Sequence, residues 1–387
     1  MENINNGRGE NAAAGGRSVL SCLVGFIKKN VVLCVALAAA AISAILVPPD
    51  AAYLGYFDLK TLTCLFCVLA VVCALKNINF FYFLAGQIVK KFKNIRYAVL
   101  ALVYITFIGS MLIANDMALL TFLPLGFFVL STTGNEKYMA FTFIMQNIAA
   151  NLGGMLTPFG NPQNLYLYSK FNIPTGEFMS IMLLPFAVSV ALITLSCIVF
   201  VKSEALVLKS EATAPDRKRV ILYSILFALA IAIVFRGIPY WVGLIVIPPV
   251  LLFIDRKALK MVDYPLLFTF VAFFIFSGNV SRIPAVRSVF EYLLGKSTLL
   301  FSVLSCQVIS NVPSAILLSN FTENYPALLV GVNIGGAGTL IASLASLITF
   351  REYSKHNPGK TGAYILKFSA FNFGFLIILT TIMMLSL

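Results

Sequence analysis

The chain has 387 residues, 60% of them hydrophobic and 11% charged, with a net charge of +13. So few charges over so long a chain exclude an ordinary soluble domain and fit an all-α polytopic membrane protein dissolved largely in a bilayer. The basic excess is a matter of sidedness, because Lys and Arg gather on the cytoplasmic side of membrane proteins, and it gives no reason to expect a nucleic-acid partner.

Residues 1–17 are polar and rich in Gly and Asn, which predicts a disordered cytoplasmic tail. The first apolar span starts near residue 30 and ends in Val47-Pro48-Pro49-Asp50, without the small-residue pattern of a cleavable signal. A second span is expected over 59–75, followed by an amphipathic stretch, Asn79–Phe92, suited to the membrane interface. Residues 97–131 carry a polar point at Asn115-Asp116 and read as a re-entrant hairpin; two short crossings, 97–114 and 117–131, are the alternative. The long run 138–170 is interrupted by Asn151-Leu-Gly-Gly-Met-Leu-Thr157, and a full span follows at 178–201. A polar linker, 202–219, separates this N-terminal half (18–201) from a C-terminal half (220–387).

The second half repeats the plan. Spans are expected at 220–236, 240–254 and 264–280, then an amphipathic stretch, Pro284–Leu294, and a segment, 298–320, with its polar point at Ser310-Asn311. Two limbs of about 11 residues at 1.5 Å per residue reach roughly 16 Å each, half a bilayer, so this too reads as a hairpin. The run 326–350 is interrupted by Asn333-Ile-Gly-Gly-Ala-Gly-Thr339, and a last span occupies 363–385. Nine spans and two hairpins result. With the N-terminus inside, 22 of the 28 basic residues fall on the cytoplasmic side and 6 outside, and the C-terminus lies outside. Asp58 opens a span running inward and Asp263 one running outward, so the two copies have opposite orientation. Such inverted repeats are characteristic of secondary transporters, with the site at the repeat interface near the midplane.

Backbone exposed at membrane depth survives only where it lines a protected cavity. Helix starts there attract anions and helix ends attract cations. The first break offers Asn151, Gly153, Gly154, Thr157, Asn161, Gln163 and Asn164; the second offers Asn333, Gly335, Gly336, Thr339 and Ser343. The hairpin tips add Asn115, Asp116, Ser310 and Asn311. Glycines that merely let helices approach are the plainer explanation, but they would leave the Asn, Thr and Pro at matching places unexplained. Asp116 is the one acid deep in an apolar segment, where acids mark proton relays or ion sites, although an Asp at a hairpin tip also serves to cap the next helix. No arginine falls inside an apolar segment, so anion recognition is expected to rest on helix starts and amides. Cys64 and Cys67 read as buried packing more readily than as a metal pair, and His356 falls in a cytoplasmic loop. With a single deep carboxylate there is no aspartyl-protease dyad, and no enzyme is expected.

The segments Ala114-Asn115-Asp116-Met117, Asn151 to Asn164, Ser310-Asn311-Val312-Pro313 and Asn333 to Ser343 resemble the ion-transporter superfamily of arsenite permeases, sodium/proton antiporters, citrate transporters and divalent-anion/sodium symporters. The resemblance extends over most of residues 30–387. It implies an elevator, with hairpins and broken helices sliding against a scaffold, often as a homodimer. The dicarboxylate branch carries Ser-Asn-Thr at each tip, and both tips here depart from it; the Asn-Asp tip is closer to the arsenite-permease and antiporter branches. The reading is therefore an ion-coupled secondary transporter of a small anion, citrate- or dicarboxylate-like or an inorganic oxyanion, in the plasma membrane. Na+ or H+ would be the coupling ion, no other cofactor is expected, and Na+ would sit at Asn115, Asp116 and Asn311. A sodium/proton antiporter and an arsenite or antimonite efflux permease are the alternatives.

Overall fold

A computed structural model of the chain describes residues 30–206 and 214–386; the expected N-terminal tail and the middle of the linker lie outside them. Apart from short 3-10 turns and one isolated bridge between Asn94 and Ala205, the regular elements are α-helices. In chain order these are α1 (Val31–Leu46), α2 (Leu59–Asn77), α3 (Phe80–Val89), α4 (Ile95–Ile113), α5 (Asn115–Thr132), α6 (Met139–Gly153), α7 (Pro162–Lys170), α8 (Thr175–Phe200) and α9 (Arg217–Val234). There follow α10 (Tyr240–Ile254), α11 (Arg256–Met261), α12 (Tyr264–Ser281), α13 (Pro284–Lys296), α14 (Thr298–Ile309), α15 (Asn311–Leu318), α16 (Tyr325–Ile334), α17 (Leu344–His356) and α18 (Thr361–Ser386). The seven uninterrupted spans expected from hydropathy correspond to α1, α2, α8, α9, α10, α12 and α18; the broken spans are α6/α7 and α16/α17.

Local chemistry sets several helix starts. Asp58 accepts from the Thr61 N–H at 2.9 Å, and Asp263 does the same for Leu266 at 3.0 Å, so α2 and α12 open with the same cap. Cys64 and Cys67 are both buried on α2, and the Cys67 sulfur packs against Gly243 of α10. No metal-holding group of His, Cys, Asp and Glu occurs among the described residues.

Polar contacts sort the helix ends into two faces. On one, Asn77 donates to Asp255, Asn94 to Ser203, and Lys137 pairs with Glu204 at 2.8 Å. On the other, Arg282 pairs with Asp50 at 2.6 Å, Lys170 donates to Asn320, and Arg236 donates to the Tyr168 carbonyl at 2.7 Å. The first face holds the clusters around Lys90, Arg219, Arg256 and Lys355 and is called here the basic face. No described hydrogen bond joins residues that the charge count puts on different sides.

The hairpins meet the broken helices at one depth. The Thr157 hydroxyl donates to the Met111 carbonyl at 2.9 Å, and a Cβ on Gly153 would lie 2.2 Å from the Phe107 carbonyl oxygen, so the first tip is level with the first break. Arms of 19 and 18 residues are each long enough to cross a membrane alone, unlike α14 and α15 with 12 and 8. The first tip nevertheless stops short of the opposite face, because α7 continues beyond the break for nine residues, about 14 Å at 1.5 Å per residue. Re-entry is thus favoured over two full crossings. The extra arm length sits at the basic face, where the Ile95 N–H donates to the Glu204 carbonyl at 3.0 Å. On the opposite side α13 turns into α14 at 120°, as an interfacial helix leading into a hairpin should.

Two bodies follow from the packing. One comprises α1, α2 and α9–α12; α1 lies along α12, where Asn279 donates to Ser43 at 3.1 Å, and α2 lies against α9 and α10. The other holds both hairpins, both broken helices, α8 and α18. Among the described residues every ion pair lies within one body or within a single helix.

Candidate functional site

The two tips have the same backbone. Ala114 has φ 66°, ψ 154° and Ser310 φ 74°, ψ 160°, a positive-φ turn that ends one arm and starts the next. In each case the following Asn turns its side-chain oxygen back onto the next N–H, Asn115 to Asp116 and Asn311 to Val312, both at 2.9 Å. The breaks match as well. Asn151 and Asn333 each donate to the carbonyl four residues earlier, at 3.1 and 2.8 Å. Thr157 and Thr339 each donate to the carbonyl three residues before the adjoining tip, Met111 and Gln307, at 2.9 and 3.2 Å.

The two halves are also hydrogen-bonded to each other. Asn333 donates to Asn164 at 2.6 Å and accepts from Asn161 at 3.2 Å; within the first half, Asn115 donates to Asn151 at 3.3 Å. A Cβ on Gly336 would meet Asn311 Nδ2 at 3.1 Å and Asn151 Oδ1 at 3.4 Å. Glycine at this position lets the second break lie between its own tip and the first break, which a larger residue would allow only if those side chains shifted by a few tenths of an ångström.

Four helices, α5, α7, α15 and α17, begin at this depth, and their starts, at Asn115, Pro162, Asn311 and Leu344, line one cavity of about 140 Å³. The first N–H groups of a helix lack partners within it and carry partial positive charge, so four starts together make the cavity attractive to an anion. Asn115, Asp116, Gln163, Ser310, Asn311 and Ser343 also line it. Ser343 caps α17, its hydroxyl accepting from Ala345 N–H at 3.2 Å. The mouth is formed by Asn30, Asp263 and Arg351, which places it toward the basic face.

The candidates named from sequence therefore divide. Asn115, Asp116, Ser310, Asn311 and Ser343 face the cavity. Asn151, Gly153, Gly154, Thr157, Asn161, Asn164, Asn333, Gly335, Gly336 and Thr339 stand behind it: Asn164 is fully buried and braces the carbonyls of Gly154, Met155 and Thr157. Three residues escaped the sequence reading. Gln307 staples the second break, donating to Gly335 carbonyl at 2.8 Å and accepting from Thr339 N–H at 2.8 Å. Its one sequence signal was being the most polar residue of an otherwise apolar arm. Asp263 and Arg351 reach the cavity through tertiary packing; Arg351 does so from the basic face and not from inside an apolar segment.

Three buried oxygens of the first tip and the first break lack partners. Asp116 Oδ1, Asn161 Oδ1 and Gln163 Oε1 accept no hydrogen bond among the described residues. Oxygen acceptors left in this way suit a small hard cation or an added proton better than they suit an anion. The site thus offers complementary chemistry for both signs of charge, helix starts for one and side-chain oxygens for the other.

The citrate transporter family model matches residues 22–329. The chain is 34% identical over 294 residues to an uncharacterized transporter of Methanocaldococcus jannaschii, covering 76% of this chain and 80% of that one. It is 29% identical over 280 residues to the inner membrane protein YbiR of Escherichia coli, covering 70% and 74%. A family of transporters, broken helices and helix starts around one cavity agree with a carrier and not with an enzyme. The chain belongs to the citrate transporter family, a polytopic membrane protein built as a secondary transporter.

Proposed function

We propose that the protein is an ion-coupled carrier of a small carboxylate anion of the citrate kind, moved by an elevator motion of the hairpin-bearing body. The observation that carries this is the convergence of four helix starts and the Asp116 carboxylate on one cavity. The helix starts hold the anion. Asp116, with the orphaned oxygen of Gln163 beside it on the cavity wall, handles Na+ or H+. An anion entering a cavity already lined by Asp116 and Asp263 needs their charge offset, and a coupling cation does so. In this reading the basic face is cytoplasmic, the N-terminus inside and the C-terminus outside a cell membrane, and the cavity is open inward. Among the described residues the two bodies are joined by hydrogen bonds, such as Arg236 to the Tyr168 carbonyl and Ser277 to the Ile316 carbonyl, and by no ion pair, a lightly bonded seam that suits a sliding body.

A sodium/proton antiporter is the second reading, favoured by the two carboxylates on the cavity wall. Reconstitution in liposomes separates them. Internal pH is followed with and without a sodium gradient while citrate, succinate, sulfate or arsenite is added singly. Flux that requires citrate or succinate supports the carrier; proton flux driven by sodium alone makes the protein an antiporter, and flux requiring arsenite or sulfate replaces the carboxylate by an oxyanion.

A further inference from the structure

On α17, Leu344, Leu347 and Arg351 share one face at i, i+3 and i+7, and all three line the cavity. A helical side chain leans toward the N-terminus of its helix, so Arg351 leans back from the mouth toward the helix starts. It is the one cationic side chain lining the cavity among the described residues, and it is exposed. Its neighbours on the basic face are engaged: Lys355 and His356 both approach Glu352, at 3.8 and 3.0 Å. Arg351 makes no ion pair among the described residues, and Asp263, the acid at the mouth, spends one oxygen capping α12. A guanidinium without a carboxylate partner, on the wall of a cavity lined by helix starts, is a fork for a carboxylate that arrives from elsewhere.

From this we infer that Arg351 is a specificity-determining residue of the carrier: it binds one carboxylate group of the substrate at the inner mouth while the helix starts bind another. The inference rests on the carboxylate reading given above and deepens it, since two separated anion-binding elements select substrates with at least two carboxylates. The first element is the ring of starts at Asn115, Pro162, Asn311 and Leu344. The second, Arg351, lies two turns along α17, about 10 Å of helix rise, with its side chain spanning part of that distance.

The test uses the full-length protein in liposomes, with labelled citrate and succinate as probes and with wild type, Arg351→Gln and Arg351→Lys. Losing a charge-assisted hydrogen bond should raise KM for citrate about tenfold or more in Arg351→Gln, with the maximal rate changed less than about twofold. Arg351→Lys keeps the charge without the fork and should fall between. A KM within twofold of wild type in Arg351→Gln, or a loss confined to the maximal rate in both variants, overturns the role of Arg351 and leaves the carrier reading intact. Wild type that takes up neither probe overturns the carboxylate reading itself, and the inference with it. Equal retention on a sizing column shows that the variants fold.

Discussion

The first tip and break differ from the second in chemistry and hardly at all in backbone. Ala114 and Ser310 share one conformation, the following asparagines make the same contact, and Thr157 and Thr339 grip matching carbonyls. Yet the residue after the asparagine is Asp116 in one and Val312 in the other. The first break carries the amides Asn161, Gln163 and Asn164 around the start of α7, where the second has Ser343, Ala345 and Ser346 around the start of α17. Helix starts, which are a property of backbone, are therefore supplied equally by both halves. Side-chain oxygens suited to a cation are concentrated in the first.

The sharpest way to break this comparison is at the tips. Asp116→Asn removes the charge from the richer half and is expected to cut gradient-driven uptake about a hundredfold, roughly 2.7 kcal/mol; Val312→Thr, at the equivalent place, should leave it within a few-fold. Uptake assays in liposomes under a pH or sodium gradient decide this, and equal effects at both tips would make the halves chemically interchangeable. Next in size is Gly153→Ala, because the new Cβ would fall 2.2 Å from a backbone oxygen that cannot move alone. A loss of about 1–3 kcal/mol in thermal or denaturant unfolding is expected.

Thr157→Val and Thr339→Val sharpen the comparison differently. Each removes one hydrogen bond between a break and its hairpin, so each should cost about 1 kcal/mol, and the two should be alike. Unequal losses would show that the halves are held together by different means. The smallest effect belongs to Asp50→Asn. The hydrogen bond from Arg282 holds the Asp50 carboxyl below its usual range, so the pair's contribution is complete above that range and is lost only as pH falls through the lowered value. Both partners are exposed, so unfolding at neutral pH should barely register the substitution.

Much of this architecture was legible in the sequence. Asn-Gly-Gly inside a long apolar run can be neither a loop in lipid nor a smooth helix, which is why both breaks, both tips and the repeat were readable. Side-chain direction was not. Thr157, Asn161 and Asn164 belong to the same polar loop as residues of the cavity, and only packing decides that they face away from it and brace the backbone. Arg351 and Asp263 look like ordinary basic-face residues because nothing local to them says that α1, α12 and α17 enclose a common mouth. Whether α4 and α5 re-enter or cross was undecidable from sequence for a related reason: hydropathy reports apolar length, while depth is fixed by which neighbour the tip meets.

The most direct test of the central claim, that both halves build one anion site, is citrate affinity in Asn115→Ala and Asn311→Ala, measured by calorimetry on purified protein. Each asparagine lies at a helix start on the cavity and is nearly buried, at 4% and 3% exposure. The account predicts that either substitution alone weakens binding about tenfold. Wild-type affinity in one of them would assign the anion to a single half and contradict it.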